Sequence, residues 1–204
     1  MSSGLLIAFE GLDQSGKQTQ AELLRDRLTS DGRSVRLLSF PDYQTAIGGE
    51  IGRGLRGERD YTADVMQLLY VANRYEWKGK IVQEKDAGTI VVCDRYLASS
   101  IAYGEAEGLD VAWLTEIQTY LPQPDITFLL DIPPEVSARR KTEDRDKYER
   151  DLSLLGRVRE SYLRQASKTG WMRLDAARAP EAVAADVWQA IVGLDDRLFG
   201  QGNR

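Results

Sequence analysis

The chain has 204 residues, 42% hydrophobic and 29% charged, with a formal net charge of −5 at pH 7. The length is enough for one α/β domain with a sizeable core, and the negative charge excludes a general binder of nucleic acids or anionic membranes. The lack of histidine excludes histidine acid–base chemistry and histidine metal sites, and the one cysteine, Cys93, excludes an intrachain disulfide.

The first four residues carry no basic side chain and lead almost directly into an apolar run. We therefore expect no signal peptide, and no run in the sequence is long enough to span a bilayer. The single cysteine is typical of a reducing compartment. Together these features predict a cytoplasmic protein that binds neither a membrane nor nucleic acid.

The first two predicted elements flank a glycine-containing loop. Residues 5–8 form an apolar run that predicts a buried parallel strand, and Ala21, Leu24 and Leu28 recur at helical spacing. Between them, residues 9–19 read FEGLDQSGKQT. The order of strand, glycine loop and helix predicts a phosphate-binding loop, and it favours that interpretation over a glycine-rich turn with a surface lysine.

Several groups in this loop suit the phosphates of a nucleotide. Gly11 and Gly16 permit backbone angles that turn the N–H groups inward, and Lys17 places a full charge where the β- and γ-phosphates would lie. Gln18 stands where such loops carry a Ser or Thr hydroxyl for Mg²⁺, which puts its role as a metal ligand in doubt. The predicted ATP-binding residues are Gly11, Leu12, Asp13, Gln14, Ser15, Gly16, Lys17, Gln18 and Thr19.

The rest of the chain alternates strands with helices. Further strands are predicted at residues 35–40, 89–94, 126–131 and 171–174. Helices are predicted at residues 46–57, 62–86 and 180–192. Two more helices are predicted to begin at residues 110 and 133, and another is predicted to end at about residue 168. This alternation predicts a five-stranded parallel sheet with helices on both faces, and no linker divides the single domain predicted over residues 1–204.

The helix predicted at residues 62–86 has an apolar stripe on one side and an arginine on the other. The stripe consists of Val65, Leu68, Leu69 and Ala72. Arg74 lies on the polar side, where an arginine is usually solvated, but Tyr70 precedes it by one turn. A ring that stacks on a base and an arginine that binds its phosphate suit a nucleoside monophosphate site.

Two charged residues follow the strand predicted at residues 89–94. Asp94 ends this apolar strand at the carboxyl edge, where α/β sheets bind ligands. It is a candidate for the carboxylate that holds Mg²⁺, and the alternative is a helix N-cap. Arg95 beside it suits a bidentate phosphate contact, which favours the ligand-binding interpretation.

Several short motifs occur along the chain in order. They are FEGLDQSGKQTQ at residues 9–20, Phe40-Pro41, LLYVANR at residues 68–74, Asp94-Arg95-Tyr96 followed by Ser99, Ser100 and Tyr103, LPQPD at residues 121–125, Tyr148-Glu149, and Asp175-Ala176. Together they resemble the thymidylate kinases, the dTMP kinases of the nucleoside monophosphate kinase group, over nearly the whole chain. A phosphate loop alone is unspecific, whereas this ordered set is specific.

The resemblance implies an α/β, three-layer P-loop NTPase fold with a lid at about residues 139–150. It implies transfer of the γ-phosphoryl group of ATP to dTMP, giving dTDP and ADP, with Mg²⁺ as cofactor. It also suggests a homodimer packed through helices that include the one at residues 62–86, although the core explains that apolar stripe equally well. The alternatives are a kinase for another nucleoside monophosphate or a deoxynucleoside, and a nucleotide-binding regulator without turnover.

The resemblance also implies roles for single residues. The catalytic set is Lys17, Asp13, Arg95, Arg140 and Arg145. The substrate-binding set is Asp13, Phe40, Tyr43, Tyr70, Arg74, Arg95, Ser100, Tyr103 and Tyr148. The metal would be held by Asp94, with Gln18 secondary.

Two departures from the family pattern bear on charge at the site. Asp42-Tyr43 stands after Phe40-Pro41, where family members often carry an arginine, and Gln14 is neutral where some carry a basic residue. The missing cation is expected from the lid, where one or two of Arg140, Arg145 and Arg150 would act as an arginine finger. The alternative for that segment is a solvated charged loop.

Overall fold

The computed structural model describes residues 4–140, 151–169 and 171–194. Its sheet has five parallel strands, as predicted, and their order is β2-β3-β1-β4-β5. The strands are β1 (Leu6–Glu10), β2 (Val35–Ser39), β3 (Ile90–Asp94), β4 (Ile126–Asp131) and β5 (Met172–Asp175). In register, Phe9 pairs with Asp94 and Ser39 pairs with Asp94, so the carboxyl ends of the central strands meet at one edge.

Helices connect successive strands, and one more follows the last strand. They are α1 (Lys17–Ser30), α2 (Ala46–Leu55), α3 (Ala63–Asp86), α4 (Leu97–Ala106), α5 (Val111–Glu116), α6 (Pro134–Arg140), α7 (Leu152–Thr169) and α8 (Pro180–Leu194). The pattern did not predict α4. Seven of its ten residues are buried, so its sequence shows no alternation between a polar and an apolar face.

The sheet is the middle of three layers because successive side chains of each strand point to opposite faces. On one face Leu6, Ala8 and Cys93 pack with Ile81 of α3. On the other, Phe9 stacks on Phe128 with ring centroids 5.2 Å apart, in the core cluster that includes α1 residues. The three-layer arrangement predicted from the alternating elements is confirmed. No helix among the described residues is both long enough and apolar enough to cross a bilayer.

Helix α3 is oriented differently from the prediction. Its buried residues are Met66, Gln67, Val71, Asn73, Arg74, Ile81 and Glu84. The predicted stripe is not in the core: Leu68 is 46% exposed, and Val65, Leu69 and Ala72 are only partly buried. Arg74, predicted on the solvated side, is 3% exposed. The apolar pattern was misleading because the inward face of this helix carries polar side chains that serve the cleft.

The loop after β2 is attached to α3 through Asp42. The Asp42 N–H donates to the Asn73 side-chain oxygen at 2.8 Å, and the Trp77 indole N–H donates to the Asp42 carboxylate at 3.0 Å. Helix α2 packs closely here, because a Cβ on Gly48 would lie 1.7 Å from the Asp42 carbonyl oxygen. Asp42 is therefore a structural part of the loop that carries Phe40 and Tyr43.

Candidate active site

The loop between β1 and α1 has the geometry that phosphate binding requires. Gly11 has a φ of +142°, and a Cβ there would lie 2.5 Å from the Leu130 carbonyl oxygen, so only glycine fits. Gln14 and Gly16 have φ values of +59° and +93°. The Ser15 N–H donates to the Leu12 carbonyl at 3.2 Å, which closes the loop. The Leu12 side chain is in the core, so its part in the site is through its backbone.

This loop lines a cavity of about 500 Å³, which we call the donor cavity. Residues 13–20 form one wall, and Asp94, Arg95 and Arg140 lie at its border. The opposite wall comes from the loop after β5 and the start of α8, with Ala176, Arg178, Pro180 and Val183. The cavity opens at the carboxyl ends of parallel strands, as expected for a nucleotide site in an α/β sheet. Apart from Ala176, the second wall carries no motif that the sequence analysis identified.

Lys17 holds a buried charge beside the donor cavity. Its ammonium group donates to the Leu12 carbonyl oxygen at 2.7 Å, and the residue is 6% exposed. Burial and the nearby Arg95 charge lower the pKa of Lys17 to about 8, against the opposing effect of Asp13, Asp94 and Glu10. A polyanionic ligand would compensate this charge, so the lysine is prepared for phosphate.

A second, smaller cavity of about 100 Å³ lies between α3 and α4, and we call it the acceptor cavity. Arg74 donates to the Ser100 hydroxyl at 2.7 Å, and its guanidinium carbon lies 5.9 Å from the Phe40 ring centroid. Burial lowers the pKa of Arg74. The predicted substrate residues that line this cavity are Asp13, Phe40, Tyr43, Tyr70, Arg74, Arg95, Ser100 and Tyr103. The structure therefore brings these predicted residues together.

Asp13 and Arg95 line both cavities and form an ion pair where they meet. The Tyr103 hydroxyl donates to the other oxygen of Asp13 at 2.7 Å. Burial alone would raise the pKa of Asp13, but the charges of Arg95 and Lys17 and the hydrogen bonds from Tyr103 and Arg95 lower it to about 2. Asp13 is thus ionised at any working pH, and it can accept hydrogen bonds but not act as an acid.

The position of Arg95 depends on Glu10, which the sequence analysis did not identify. Arg95 has a φ of +62°, an uncommon conformation for a residue with a side chain. Immediately after it, the N–H groups of Tyr96 and Ala98 donate to the Glu10 carboxylate at 2.9 and 3.1 Å, and the Ser99 hydroxyl donates to it at 2.6 Å. Glu10 thereby caps α4 and holds the turn. A charged residue at the end of a buried strand was the signal that could have revealed it.

The predicted metal ligands differ in their surroundings. One carboxylate oxygen of Asp94, Oδ1, is buried and has no hydrogen-bond partner in the described part of the chain, and the other accepts from Ser39 at 3.3 Å. Gln18 is exposed and donates to Glu22 at 2.9 Å. Residues 4–140, 151–169 and 171–194 contain no cluster of three acidic, histidine or cysteine side chains suited to a metal ion. The site therefore fits a cation held mostly by a nucleotide, with Asp94 as the protein group.

Of the predicted lid arginines, the structure describes Arg140. Its guanidinium donates to the Gln14 carbonyl oxygen at 3.0 Å and to the Ala176 carbonyl oxygen at 2.9 Å, and so it bridges the two walls of the donor cavity. Arg145, Tyr148 and Arg150 lie outside the described residues. The arginine-finger role stays a prediction.

Comparison with known proteins gives a consistent result. The family model for thymidylate kinase matches residues 9–187. The thymidylate kinase of Plasmodium falciparum (isolate 3D7) is 35% identical over 185 residues, which cover 90% of this chain and 88% of that protein. That of Schizosaccharomyces pombe is 39% identical over 147 residues, covering 72% and 70%. The structure of Candida albicans thymidylate kinase superposes with a TM-score of 0.81 at 29% identity, covering 94% of this chain and 92% of that one.

The lowered pKa of Lys17 predicts that nucleotide binding takes up a proton. In the free protein Lys17 loses its proton above about pH 8, and bound phosphates favour the charged form and raise its pKa again. ATP affinity should therefore fall as the pH rises above about 8, with uptake of up to about one proton near pH 8.5. Calorimetry in two buffers of different ionisation enthalpy measures this uptake. Lys17→Arg keeps its charge and should show none, so equal uptake in both proteins contradicts the assignment.

Proposed function

This chain belongs to the thymidylate kinase family, and from that membership we propose that its two cavities hold ATP and dTMP on either side of Arg95. The enzyme transfers the γ-phosphoryl group of ATP to dTMP, giving dTDP and ADP. The observation that supports this placement best is that Asp13 and Arg95 line both cavities. A group that reaches both substrates is what a transfer between them needs.

The main task of the site is to offset negative charge. Each terminal phosphate carries roughly −1.5 to −2 charges at neutral pH, so two of them repel strongly unless cations lie between. Lys17 faces the donor side, and Arg95 stands at the junction. The acceptor phosphate is already ionised and needs no strong general base, which agrees with a chain that has no histidine. Asp13 would accept a hydrogen bond from the sugar hydroxyl of dTMP.

The acceptor cavity offers contacts for each part of dTMP. Tyr70 would stack on the thymine ring, and Arg74 would donate to a base carbonyl. Phe40 and Tyr43 would line the nucleotide. Ser100 and Tyr103 lie on the same face of α4 and would exclude a ribose 2′-hydroxyl.

The donor cavity fits Mg²⁺ bound together with ATP. The buried, unpartnered oxygen of Asp94 would hold the ion directly or through water, and Gln18 would be secondary because its amide already contacts Glu22. When bound, the ion neutralises charge on the phosphates. Arg140 would move from the carbonyl groups of Gln14 and Ala176 to the transferring phosphoryl group when the nucleotide is in place.

The outward face of α3 suits a homodimer. Leu68 is largely exposed, and Val65, Leu69 and Ala72 beside it remain partly exposed on the described chain. An apolar helix face of this kind is typical of a subunit interface. We also assign the protein to the cytoplasm, since its one cysteine is buried and free.

A comparison of acceptors tests the activity. Release of ADP is measured with dTMP, dUMP, dCMP and thymidine at equal concentrations, and kcat/KM for dTMP should exceed the others by at least about tenfold. The thymidylate kinase of C. albicans has broad substrate specificity, which makes the size of this ratio informative.

Lys17→Ala should abolish turnover and keep the fold. A higher kcat/KM with another acceptor, or near-normal turnover of Lys17→Ala, contradicts the proposal.

The metal assignment predicts unequal effects of two substitutions. Asp94→Ala should lower turnover about 10–100-fold and raise the Mg²⁺ concentration needed for half-maximal rate, because a buried metal-facing oxygen is lost. Gln18→Ala should stay within about threefold of the parent in the same Mg²⁺ titration. Equal losses, or a larger loss for Gln18→Ala, show that the assignment is wrong.

The dimer proposal predicts that Leu68→Glu yields a single chain of 22.9 kDa, whereas the parent has twice that mass. A charge placed in an apolar interface carries a large desolvation penalty. Light scattering coupled to gel filtration measures the mass. Leu23→Glu is the control, since Leu23 is similarly exposed, at 39%, but lies on α1. A parent protein that runs as a monomer rules the proposal out.

A further inference from the structure

Gln67 is a fully buried amide next to the acceptor cavity. It lies on α3, is 0% exposed and lines the cavity together with Tyr70 and Arg74. Neither its nitrogen nor its oxygen has a hydrogen-bond partner among the residues that the structure describes. The sequence analysis did not identify this residue, because an isolated glutamine in a helix carries no motif.

An amide in this state is costly for the free protein. Buried side-chain amides are nearly always hydrogen-bonded. When the amide nitrogen and oxygen are both unpaired, the folded protein loses the hydrogen bonds that water makes with them in the unfolded chain. A leucine or methionine at this position would fill the space without that penalty. The amide is therefore accounted for if a ligand supplies one acceptor and one donor.

The position of Gln67 limits which part of the ligand it can reach. Residues 67, 70 and 74 follow one another along one face of α3, with spacings of three and four. Opposite, a Cβ on Gly104 would lie 3.3 Å from Cγ of Gln67, so the glycine leaves room for the glutamine stem. Arg74 bonds Ser100 on the same side of the cavity. Gln67 thus lies on the helix face that carries Tyr70 and Arg74, the groups assigned to the base.

We propose that Gln67 is a base-recognition residue whose amide hydrogen-bonds the imide edge of the acceptor base. Its oxygen accepts from the N3–H of thymine, and its nitrogen donates to a neighbouring ring carbonyl. This proposal rests on the proposed function, because it takes the acceptor cavity to be the base site. An amide is complementary to adjacent donor and acceptor groups, as in its bidentate pairing with adenine.

Arg74 and Gln67 divide the recognition between them. Arg74 has only donors, so it selects a carbonyl and disfavours the amino group of cytosine. An amide can rotate to present either group and does not exclude cytosine by itself. Gln67 therefore adds binding affinity for the planar edge of a base, and Arg74 selects bases that present a carbonyl oxygen to it. A base without a hydrogen-bonding edge leaves Gln67 unpaired and binds poorly.

The test compares Gln67→Met and Gln67→Leu with the parent enzyme. Loss of the two hydrogen bonds should raise KM for dTMP at least about tenfold, with KM for ATP unchanged and kcat little changed. The inhibition constant of 2-deoxyribose 5-phosphate, which lacks the base, should stay within about twofold. The melting temperature of the free protein should be equal or higher, because the unpaired amide is gone.

Gln118→Met is the matched control, since Gln118 is also a buried glutamine with an unpartnered oxygen but lies outside the acceptor cavity. It should leave KM for dTMP unchanged. A Gln67→Met enzyme whose KM for dTMP stays within about twofold of the parent overturns the proposal. Equal weakening of dTMP and of the sugar phosphate also overturns it, because the residue then only shapes the cavity. A parent enzyme that is inactive on dTMP contradicts the proposed function instead.

Discussion

The site depends on the ion pair between Asp13 and Arg95. It connects the loop after β1 to the turn after β3, and these strands are neighbours, with Phe9 paired to Asp94. Each charge alone would be costly at this depth, so each residue requires the other. The turn that carries Arg95 is held by Glu10, whose carboxylate accepts from the start of α4. The placement of both cavities therefore follows from two carboxylates on adjacent segments of β1 and its loop.

The charge distribution explains how an acidic chain binds anions. Lys17 and Arg74 are both buried, and they donate hydrogen bonds to neutral groups, which are the carbonyl oxygens of Leu12 and Tyr70 and the hydroxyl of Ser100. Burial lowers the pKa of both residues, which means that the free protein leaves these cations incompletely compensated. The net charge of −5 keeps the outer surface unattractive to nucleic acid, whereas the cleft concentrates positive potential where phosphates would enter.

Most of the fold could be predicted from the sequence because buried parallel strands are apolar on both faces. β4 was predicted with the bounds observed, and the strand, loop and helix order identified the phosphate loop. The prediction failed for helices whose buried residues are not confined to a single apolar face. α4 is buried nearly all round, and the inner face of α3 carries Gln67, Asn73 and Arg74, so the apolar stripe indicated the wrong side. Motifs located the residues proposed to bind phosphates, but the hydrogen bonds of Glu10 and the burial of Gln67 are tertiary features that spacing does not show.

Helix α3 has a polar inner face toward the acceptor cavity and an apolar outer face. Its inner face contributes Gln67 and Arg74 to the cavity and Asn73 to the loop that carries Phe40. The unpaired amide of Gln67 and the buried charge of Arg74 cost free energy in the free protein, since an apolar side chain at either position would bury no polar group. The outer face is apolar and, on the described chain, exposed at Leu68. A partner subunit packed there would stabilise the helix from the opposite side. In the proposed dimer, the interface would offset the free-energy cost of the polar inner face, and dimerisation would help to keep the shape of the base site.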